Sequence, residues 1–197
     1  MSAKIKIYIE NEKEKAMKTM LFNLLRKLLG LETVEVRLKP AEKFQGPVRI
    51  LGIAGSPRDK KRSSSYKMLE TVLKHARNFG AETKAIILCE KNLKQCEGCL
   101  SNKKDGCVFP CIHQDDDTNE VLRAMIDADA FVFATPVHWS APSTAIKILF
   151  DKMVALEGSR YKIAFKEGRE PLLGKPCVLL ASQEGGGANV ALSWMAS

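Results

Sequence analysis

The chain has 197 residues, of which 45% are hydrophobic and 27% charged, and a formal net charge of +8. This length and balance predict a globular protein with one full core. Every apolar run is short and the first residues do not resemble a signal peptide, which argues against a membrane protein and for a cytoplasmic location. The basic residues are spread along the chain without interleaved aromatic residues, so nucleic acid is not expected as a partner.

Residues 1–47 are predicted to form a small β-α-β extension. Residues 4–10 and 33–38 alternate apolar and polar side chains as half-exposed strands do, and residues 16–29 carry apolar side chains at helical spacing. A helix between two strands usually packs on them. We therefore favour docking of this helix over the alternative, a basic amphipathic helix that lies on a membrane. Residues 40–47 are the predicted linker to the main domain.

Residues 48–197 alternate strand and helix patterns, which predicts an α/β domain with a doubly wound parallel sheet. The predicted strands are residues 48–54, 84–89, 130–135 and 175–182, and the predicted helices are residues 65–79, 117–127 and a third that has Pro142 in its first turn. The last residues look like part of a further helix. A sheet of this type would need a fifth strand, so either the chain is C-terminally incomplete or the N-terminal unit supplies that strand.

The first strand of this domain runs into residues that suit a bound anion. Gly55-Ser56-Pro57-Arg58 follows the strand directly, and the serines Ser63, Ser64 and Ser65 precede the next helix. Glycine permits a sharp turn, and hydroxyls add donors to the unpaired N–H groups of a helix start. Strand, polar loop and helix together predict a mononucleotide site.

Two further strand ends lie at the same predicted sheet edge, where ligands bind in open α/β sheets. The third strand continues into Thr135-Pro136-Val137-His138-Trp139-Ser140, and the fourth into Ser182-Gln183-Glu184-Gly185-Gly186. Between the second and third strands, Cys96, Cys99, Cys107 and Cys111 crowd into sixteen residues. In a chain without an export signal, this density favours metal binding or redox chemistry over disulfides.

With these three motifs in this order, the sequence resembles the flavodoxin-like NAD(P)H-dependent FMN reductases and, within them, the iron–sulfur flavoproteins. The resemblance covers about residues 48–190 and includes the pair Asp116-Asp117 before a helix and the run Phe150-Asp151-Lys152. It implies that FMN is the cofactor and NAD(P)H the co-substrate. It also implies which residues hold the FMN phosphate, namely Ser56, Arg58, Ser63, Ser64 and Ser65, with Ser65 preferred for the family's Ser/Thr position.

The resemblance further implies that the second loop passes beneath the isoalloxazine ring and that the third loop approaches it through glycine backbone. The residues assigned to these two loops are Thr135, Pro136, Val137, His138, Trp139, Ser140, Ser182, Gln183, Gly185 and Gly186. Hydride reaches flavin N5 directly, so no catalytic side chain is predicted. An ordinary surface or packing role is as acceptable for His138 as a role beside the ring.

The cysteine loop departs from the family pattern. In the iron–sulfur flavoproteins the first three cysteines of a compact run are two residues apart, and Asn102 stands here at the third place. The four cysteines present could still hold a [4Fe–4S] cluster. Two alternatives stay open, which are tetrahedral zinc and free thiols without metal. The other two cysteines, Cys89 and Cys177, lie in apolar strands and are predicted to be buried.

The expected function is FMN-dependent electron transfer between NAD(P)H or ferredoxin and a quinone, a flavin or another small-molecule or protein acceptor. Without a cluster, the chain would be a plain NAD(P)H-dependent FMN or quinone reductase. A rival of another class is a non-catalytic flavodoxin-fold module that mediates assembly. The resemblance also implies a homodimer or homotetramer.

Overall fold

The computed structural model describes residues 46–99, 107, 109–156, 171, 172 and 174–196. The predicted N-terminal β-α-β unit lies outside the described residues, except for its last two. Five strands are present: Arg49–Ala54 (β1), Glu82–Ile87 (β2), Ala130–His138 (β3), Ala141–Pro142 (β4) and Cys177–Ser182 (β5). None of the helices in the described part of the chain has both the length and the apolar character needed to cross a bilayer.

The sheet has the parallel strand order β2-β1-β3-β5, and the short β4 pairs antiparallel with the end of β3. Ala54 lies beside Ala134, and Ala134 lies beside Leu180. The carboxyl ends of β1, β3 and β5 therefore meet at one edge of the sheet. The strand β1 lies inside the sheet, between β2 and β3. This arrangement confirms the predicted fold class and places three loops together.

Four helices cover the two faces of the sheet: Ser64–Asn78 (α1), Thr118–Asp127 (α2), Thr144–Met153 (α3) and Ala188–Ala196 (α4). On one face, Leu69 and Leu73 of α1 pack with side chains of β3 and β5. On the other, α2, α3 and α4 contribute to a larger core with Leu51 and Ile53 of β1. A strand covered on both faces is apolar at every position, which explains the uninterrupted apolar run before Gly55.

The second strand ends earlier than the sequence pattern predicted. Pairing with β1 stops at Ile87, and Leu88–Glu90 form a 3₁₀ turn instead of extending the strand to residue 89. Cys89 is consequently exposed, and the prediction that it is buried was wrong. Cys177 begins β5, and the residue as a whole is exposed to solvent. Its thiol group is nevertheless desolvated, which raises the pKa of Cys177 to about 12.

Asp117 and Glu120 have the spacing of a capping box at the start of α2, but Asp117 does not cap the helix through its side chain. Asp117 is the N-cap residue but its side chain makes no capping hydrogen bond, whereas Asp116 accepts from the backbone N–H of Thr118 at 2.9 Å. The Asp117 and Glu120 side chains instead bind the chain segment before the cysteines. Asp117 accepts from the Asn92 N–H, and Glu120 accepts from the Lys91 Nζ. Pro142 likewise lies in β4 rather than in the first turn of α3, which Ser143 caps.

Candidate functional site

The first loop places three buried hydroxyls around the start of α1. Ser56, Ser63 and Ser65 are 3%, 1% and 1% exposed, although serine is usually a surface residue. The Ser63 Oγ accepts from the Tyr66 backbone N–H at 3.0 Å and lies 3.2 Å from the Ser65 Oγ. The backbone N–H groups of Ser64 and Ser65 begin the helix, where no intrahelical acceptor exists. This cluster offers hydrogen-bond donors to an anion.

The basic turn before these serines is organised by Asp59. Its carboxylate accepts from the backbone N–H groups of Lys61 and Arg62 and from the Arg62 Nε, the last at 2.6 Å. The side-chain hydrogen bond from Arg62 is the main cause of the lowered pKa of Asp59. Arg62 is therefore engaged within its own turn, and Lys60 pairs with Glu90 at 3.1 Å. Within the described residues no acidic side chain forms an ion pair with Arg58, and its role as a phosphate ligand stays a prediction.

The second loop is a tight hairpin between β3 and β4. His138 pairs with Ala141, so Trp139 and Ser140 form a two-residue turn with φ of 50° and 60°. Two positive φ values are the pattern of a type I′ turn, which asparagine and glycine usually supply. The Trp139 side chain is fully exposed and Thr135 is fully buried. His138 is exposed, and Pro136 and Val137 are half-buried.

Ser143 joins the first loop to the second. Its Oγ donates to the Gly55 carbonyl at 2.5 Å, its N–H donates to the Thr135 Oγ1 at 2.9 Å, and its Oγ also caps α3 by accepting from the Ile146 N–H. The approach is close enough that a Cβ on Gly55 would lie 2.7 Å from the Ser143 Oγ and 2.3 Å from the Ile146 Cγ1. The site predictions omitted Ser143, although a serine directly before a helical pattern is a recognisable N-cap signal.

The third loop closes against the tip of the hairpin. Gly187 has a φ of +94°, and a Cβ there would lie 2.9 Å from the Ser140 Cα. Gln183 uses its side-chain Oε1 to accept from the Ala188 N–H at 2.7 Å and so caps α4. Ser182, at the end of β5, pairs with Pro136. Gly185 and Gly186 are exposed, and the direct contact with the hairpin is made by Gly187, which the sequence-based assignment did not include.

The cysteine loop leaves the same edge of the sheet after β2. Cys107 and Cys111 are buried, and Cys96 and Cys99 are half-buried. Desolvation raises the pKa of Cys107 to about 11, with further contributions from the nearby thiols of Cys99, Cys111 and Cys96. The four cysteines are therefore neighbours. No group of three or more His, Cys, Asp or Glu side chains is arranged to hold a metal ion in the described part of the chain.

Asn119 of α2 holds the end of the cysteine loop. Its Oδ1 accepts from the Cys111 N–H at 2.6 Å and its Nδ2 donates to the Cys111 carbonyl at 2.9 Å. Sequence reasoning missed this residue because nothing in a helical pattern indicates which polar side chain turns back to bind a loop. These two hydrogen bonds fix the backbone of Cys111, at the end of the loop that leads into α2.

The first two loops fit the phosphate end of FMN. A phosphate dianion needs N–H and O–H donors and the absence of a competing carboxylate. Ser56, Ser63 and Ser65 provide the donors, and the Asp59 carboxylate is already bound to Arg62. A side chain on Gly55 would fill the space between the loops. The residues present therefore suit a phosphorylated cofactor.

Comparison with known proteins gives an independent result. A family model described as NADPH-dependent FMN reductase matches residues 48–197. An iron-sulfur flavoprotein from Methanocaldococcus jannaschii is 32% identical over 105 residues, which are 53% of this chain and 51% of that protein. Another from Methanosarcina thermophila is 30% identical over 122 residues, or 61% of this chain and 60% of that protein. The chain thus spans between half and three-fifths of the length of these two relatives.

Solved structures share the fold at low sequence identity. RosB with the bound intermediate 8-demethyl-8-formylriboflavin-5'-phosphate superposes with a TM-score of 0.61 at 17% identity, over 76% of this chain and 57% of that chain. An FMN-dependent NADH-azoreductase from Bacillus anthracis in complex with FMN gives a TM-score of 0.52 at 16% identity, over 75% and 78%. On the match of residues 48–197 and on this fold, the chain belongs to the NADPH-dependent FMN reductase family.

Proposed function

We propose that this chain binds FMN and acts as an NAD(P)H-dependent oxidoreductase of the iron–sulfur flavoprotein type. The observation that carries the proposal is the cluster of three buried hydroxyls, those of Ser56, Ser63 and Ser65, beside the start of α1. The Ser56 and Ser63 hydroxyls accept backbone N–H groups within the loop, which leaves hydroxyl hydrogens of the cluster available to donate to a phosphate. Family membership supports the same ligand.

Each loop has a distinct role in this proposal. Ser56, Ser63, Ser64 and Ser65 bind the phosphate through hydroxyl and backbone groups, and Arg58 adds a guanidinium. Residues 135–140 line the isoalloxazine ring, where the tight turn presents backbone N–H groups and Pro136 stiffens the chain. Residues 182–186 approach the ring from the third strand end, and Gly187 keeps that loop against the hairpin.

FMN, when bound, accepts a hydride from NAD(P)H and can pass the electrons on singly or in pairs. The protein residues then need to bind and orient the two nucleotides and to exclude water from the reacting faces. No side chain of the described loops is needed as an acid or base. The exposed Trp139 offers a flat apolar surface at the tip of the hairpin, where it would cover part of a bound ring.

We further propose that Cys96, Cys99, Cys107 and Cys111 hold a [4Fe–4S] cluster, which would carry single electrons to the acceptor. Support comes from the nearness of Cys107 to the other three cysteines and from the iron-sulfur flavoproteins among the relatives. All four cysteines are free, as cluster ligation requires. Cys107 would have to lose its proton to become a ligand.

A second candidate function is a cluster-free NAD(P)H-dependent FMN or quinone reductase. The observation that favours it is the lack, in the described residues, of a preformed group of metal ligands. Zinc in the same four-cysteine loop is a further alternative, because four thiolates suit a tetrahedral ion equally well. A structural zinc would leave the FMN chemistry of the other loops unchanged.

FMN binding is tested by titrating metal-free protein with FMN and following the quenching of flavin fluorescence. We expect stoichiometric binding by the unmodified chain. Weaker binding is expected for Ser56→Ala, Ser63→Ala and Ser65→Ala, because each removes a donor from the phosphate. The matched control is Ser193→Ala, which alters an exposed serine of α4 and should bind normally. A colourless protein that takes up no FMN would contradict the proposal and favour the non-catalytic assembly module.

The cluster is tested by anaerobic reconstitution with iron and sulfide, followed by metal and sulfide analysis and visible spectroscopy. The proposal expects about four irons and four sulfides per chain and a broad absorption that reductant bleaches. Serine at any of the four cysteine positions should reduce this content, whereas serine at the exposed Cys89 should not. Zinc without sulfide would support the structural-zinc alternative, and flavin bands without metal would support the cluster-free reductase.

The electron partners follow from the same proposal. NAD(P)H or ferredoxin is the donor, and a quinone, a flavin or another small-molecule or protein carrier is the acceptor. The protein is proposed to work in the cytoplasm, where its six cysteines stay reduced. We also propose a homodimer or homotetramer, to be checked by light scattering on the eluting protein.

A further inference from the structure

A buried ion pair joins α3 to the segment before α2. The Lys152 Nζ lies 3.2 Å from the Asp116 Oδ2, and the two side chains are 2% and 0% exposed. In each other ion pair of the described residues, at least one partner is well exposed to solvent. A buried pair is weak support for stability, because apolar residues of the same volume often do as well, but it specifies which groups meet. The role of this ion pair therefore follows from the segments of the chain that it joins.

Asp116 connects both ends of the cysteine loop. Besides Lys152, its carboxylate accepts from the Lys94 backbone N–H at 3.0 Å and from the Thr118 N–H and Oγ1 at 2.9 Å each. Lys94 lies two residues before Cys96, and Asp116 lies five residues after Cys111. One carboxylate thus ties the entry of the loop to its exit.

Neighbouring contacts extend this connection into a stem, which we define as residues 91–94 and 115–120. Asn92 and Asp117 exchange two hydrogen bonds of 2.8 Å, from the Asn92 N–H to the Asp117 Oδ2 and from the Asp117 N–H to the Asn92 carbonyl. Exposed ion pairs between Lys91 and Glu120 and between Lys94 and Asp115 lie on the same stem. Lys152 lies outside the stem, in α3, and pairs with Asp116 of the stem.

The opposite end of α3 is fixed to the predicted flavin loops. Ser143 caps the helix while it donates to the Gly55 carbonyl and to the Thr135 Oγ1. Lys152 follows in the last turn of the same helix. A ten-residue helix is a rigid spacer about 15 Å long. Its two ends therefore set the position of the stem relative to the loop around Gly55.

We propose that Lys152 is a positioning residue that, through Asp116, holds the two ends of the cysteine loop together and in register with the flavin edge. The proposal rests on the proposed function, since it assigns the loop a fixed place beside the cofactor. It adds a residue whose described ion pair is with Asp116 and not with a cysteine or a predicted FMN loop. Loss of the Lys152 charge should loosen the two ends of the loop and expose Cys107 and Cys111 without weakening FMN binding.

The experiment measures the alkylation rate of each cysteine in metal-free Lys152→Met by iodoacetamide and peptide mass spectrometry. We expect the buried Cys107 and Cys111 to react about tenfold faster than in the unmodified protein. Removing one partner of a buried ion pair costs more free energy than a tenfold change in an equilibrium constant corresponds to. The exposed Cys89, outside the loop, should react at an unchanged rate and serves as the internal reference. FMN affinity, read by flavin fluorescence, should be unchanged.

Two variants of the same helix separate positioning from general destabilisation. Leu149→Ala removes a fully buried side chain one turn away from Lys152, so it should lower the melting temperature without selective exposure of Cys107 and Cys111. Lys147→Met removes an exposed lysine and should leave every rate unchanged. Lys152→Arg retains the charge and should restore much of the slow labelling.

Unchanged labelling of Cys107 and Cys111 in Lys152→Met would overturn the proposal, and so would an equal acceleration in Leu149→Ala. If Lys152→Met does not fold, Asp116→Asn is assayed in the same way and must show the same selective acceleration. Because the labelling uses metal-free protein, a failure of the unmodified chain to bind iron would refute the cluster alone. Fast labelling confined to the Lys152 and Asp116 variants would still support the positioning role.

Discussion

Ser143 is the residue on which most of the site geometry depends. It caps α3, binds the carbonyl that ends β1 and binds the threonine side chain in β3, all through one hydroxyl and one N–H group. Gly55 has to lack a side chain for this contact to form. The sequence pattern alone identified Gly55 as a turn residue, but the reason for the glycine is steric and comes from α3, which lies about 90 residues further along the chain.

A Gly55→Ala substitution is therefore expected to destabilise the protein. The new Cβ would lie 2.3 Å from the Ile146 Cγ1 and 2.7 Å from the Ser143 Oγ, so α3 would have to move away from β1. Overpacking of this kind costs about 1–3 kcal/mol. The measurement is urea unfolding of cofactor-free protein. Gly186→Ala, where a Cβ meets nothing within 4 Å, is the control and should change the free energy of unfolding by less than about 0.5 kcal/mol. Equal stability of the two variants would contradict the steric argument.

Among the elements, the β3–β4 hairpin is the one that departs furthest from ordinary backbone preferences. Trp139 and Ser140 both have positive φ, and neither is glycine or asparagine. Left-handed backbone costs an L-residue about 1–2 kcal/mol. Such strain persists where function needs the conformation, and the place of Trp139 beside the flavin ring stays a prediction.

Replacement of Trp139 by asparagine together with Ser140→Gly should relieve this strain. Asn-Gly is the preferred pair for a type I′ turn, so the cofactor-free protein is expected to gain about 1 kcal/mol in stability. FMN affinity should fall at the same time, because the apolar surface of the hairpin is lost. Urea unfolding and fluorescence titration measure the two effects. A variant that is less stable than the unmodified chain would show that the turn is not strained.

The buried pair beside α2 gives that element a predictable response to pH. Burial is the largest influence on Asp116 and acts to raise its pKa, but hydrogen bonds from Thr118, Lys94 and Lys152 together outweigh it, so the pKa is lowered from the ordinary 3.8. A carboxyl with a depressed pKa stabilises the fold above its unfolded pKa and loses that contribution as the pH falls through its folded pKa.

We therefore expect the stability difference between the unmodified chain and Asp116→Asn to be constant from about pH 5 to pH 8 and to shrink below about pH 4. Asparagine resembles the protonated acid, so the two proteins should converge where Asp116 takes up its proton. Urea unfolding at a series of pH values gives the difference. A gap that widens towards low pH would contradict the depressed pKa.

At the scale of the whole molecule, the doubly wound sheet could be predicted because its signals are local. Fully apolar strands, helical spacing and polar strand ends each appear within ten to fifteen residues, and the helix α1 begins within one residue of its predicted start. The capping of α2 and the end of β2 could not be predicted. The start of α2 depends on contacts with the segment around Asn92, which no local pattern reveals, and β2 gives way to the 3₁₀ turn at Leu88–Glu90.

The site shows the same division. The serine and cysteine clusters are visible in the sequence, but the contacts of Ser143 with Gly55 and of Gly187 with Ser140 are not, because they join residues far apart in the sequence. The assignment of FMN contacts to particular side chains stays a prediction. Gln183 illustrates the limit, because its side chain is already used to cap α4.

If FMN is the ligand, it should stabilise the whole domain by mass action. A ligand at one hundred times its Kd adds about 2.7 kcal/mol to the free energy of unfolding, so the melting temperature should rise with FMN concentration. Riboflavin, which lacks the phosphate, should give a much smaller shift because the serine cluster gains no anion. Equal shifts from FMN and riboflavin would show that the cluster does not bind the phosphate.

The hydrogen bond from Ser143 to the Gly55 carbonyl has one more consequence. A peptide oxygen with free lone pairs at the mouth of an anion site would repel any negatively charged guest. Here that oxygen is already occupied by a hydroxyl from the neighbouring helix. Repulsion between this oxygen and an anion bound at the serines would therefore be weaker, and the contact that joins two strand ends would also make the loop more favourable for negative charge.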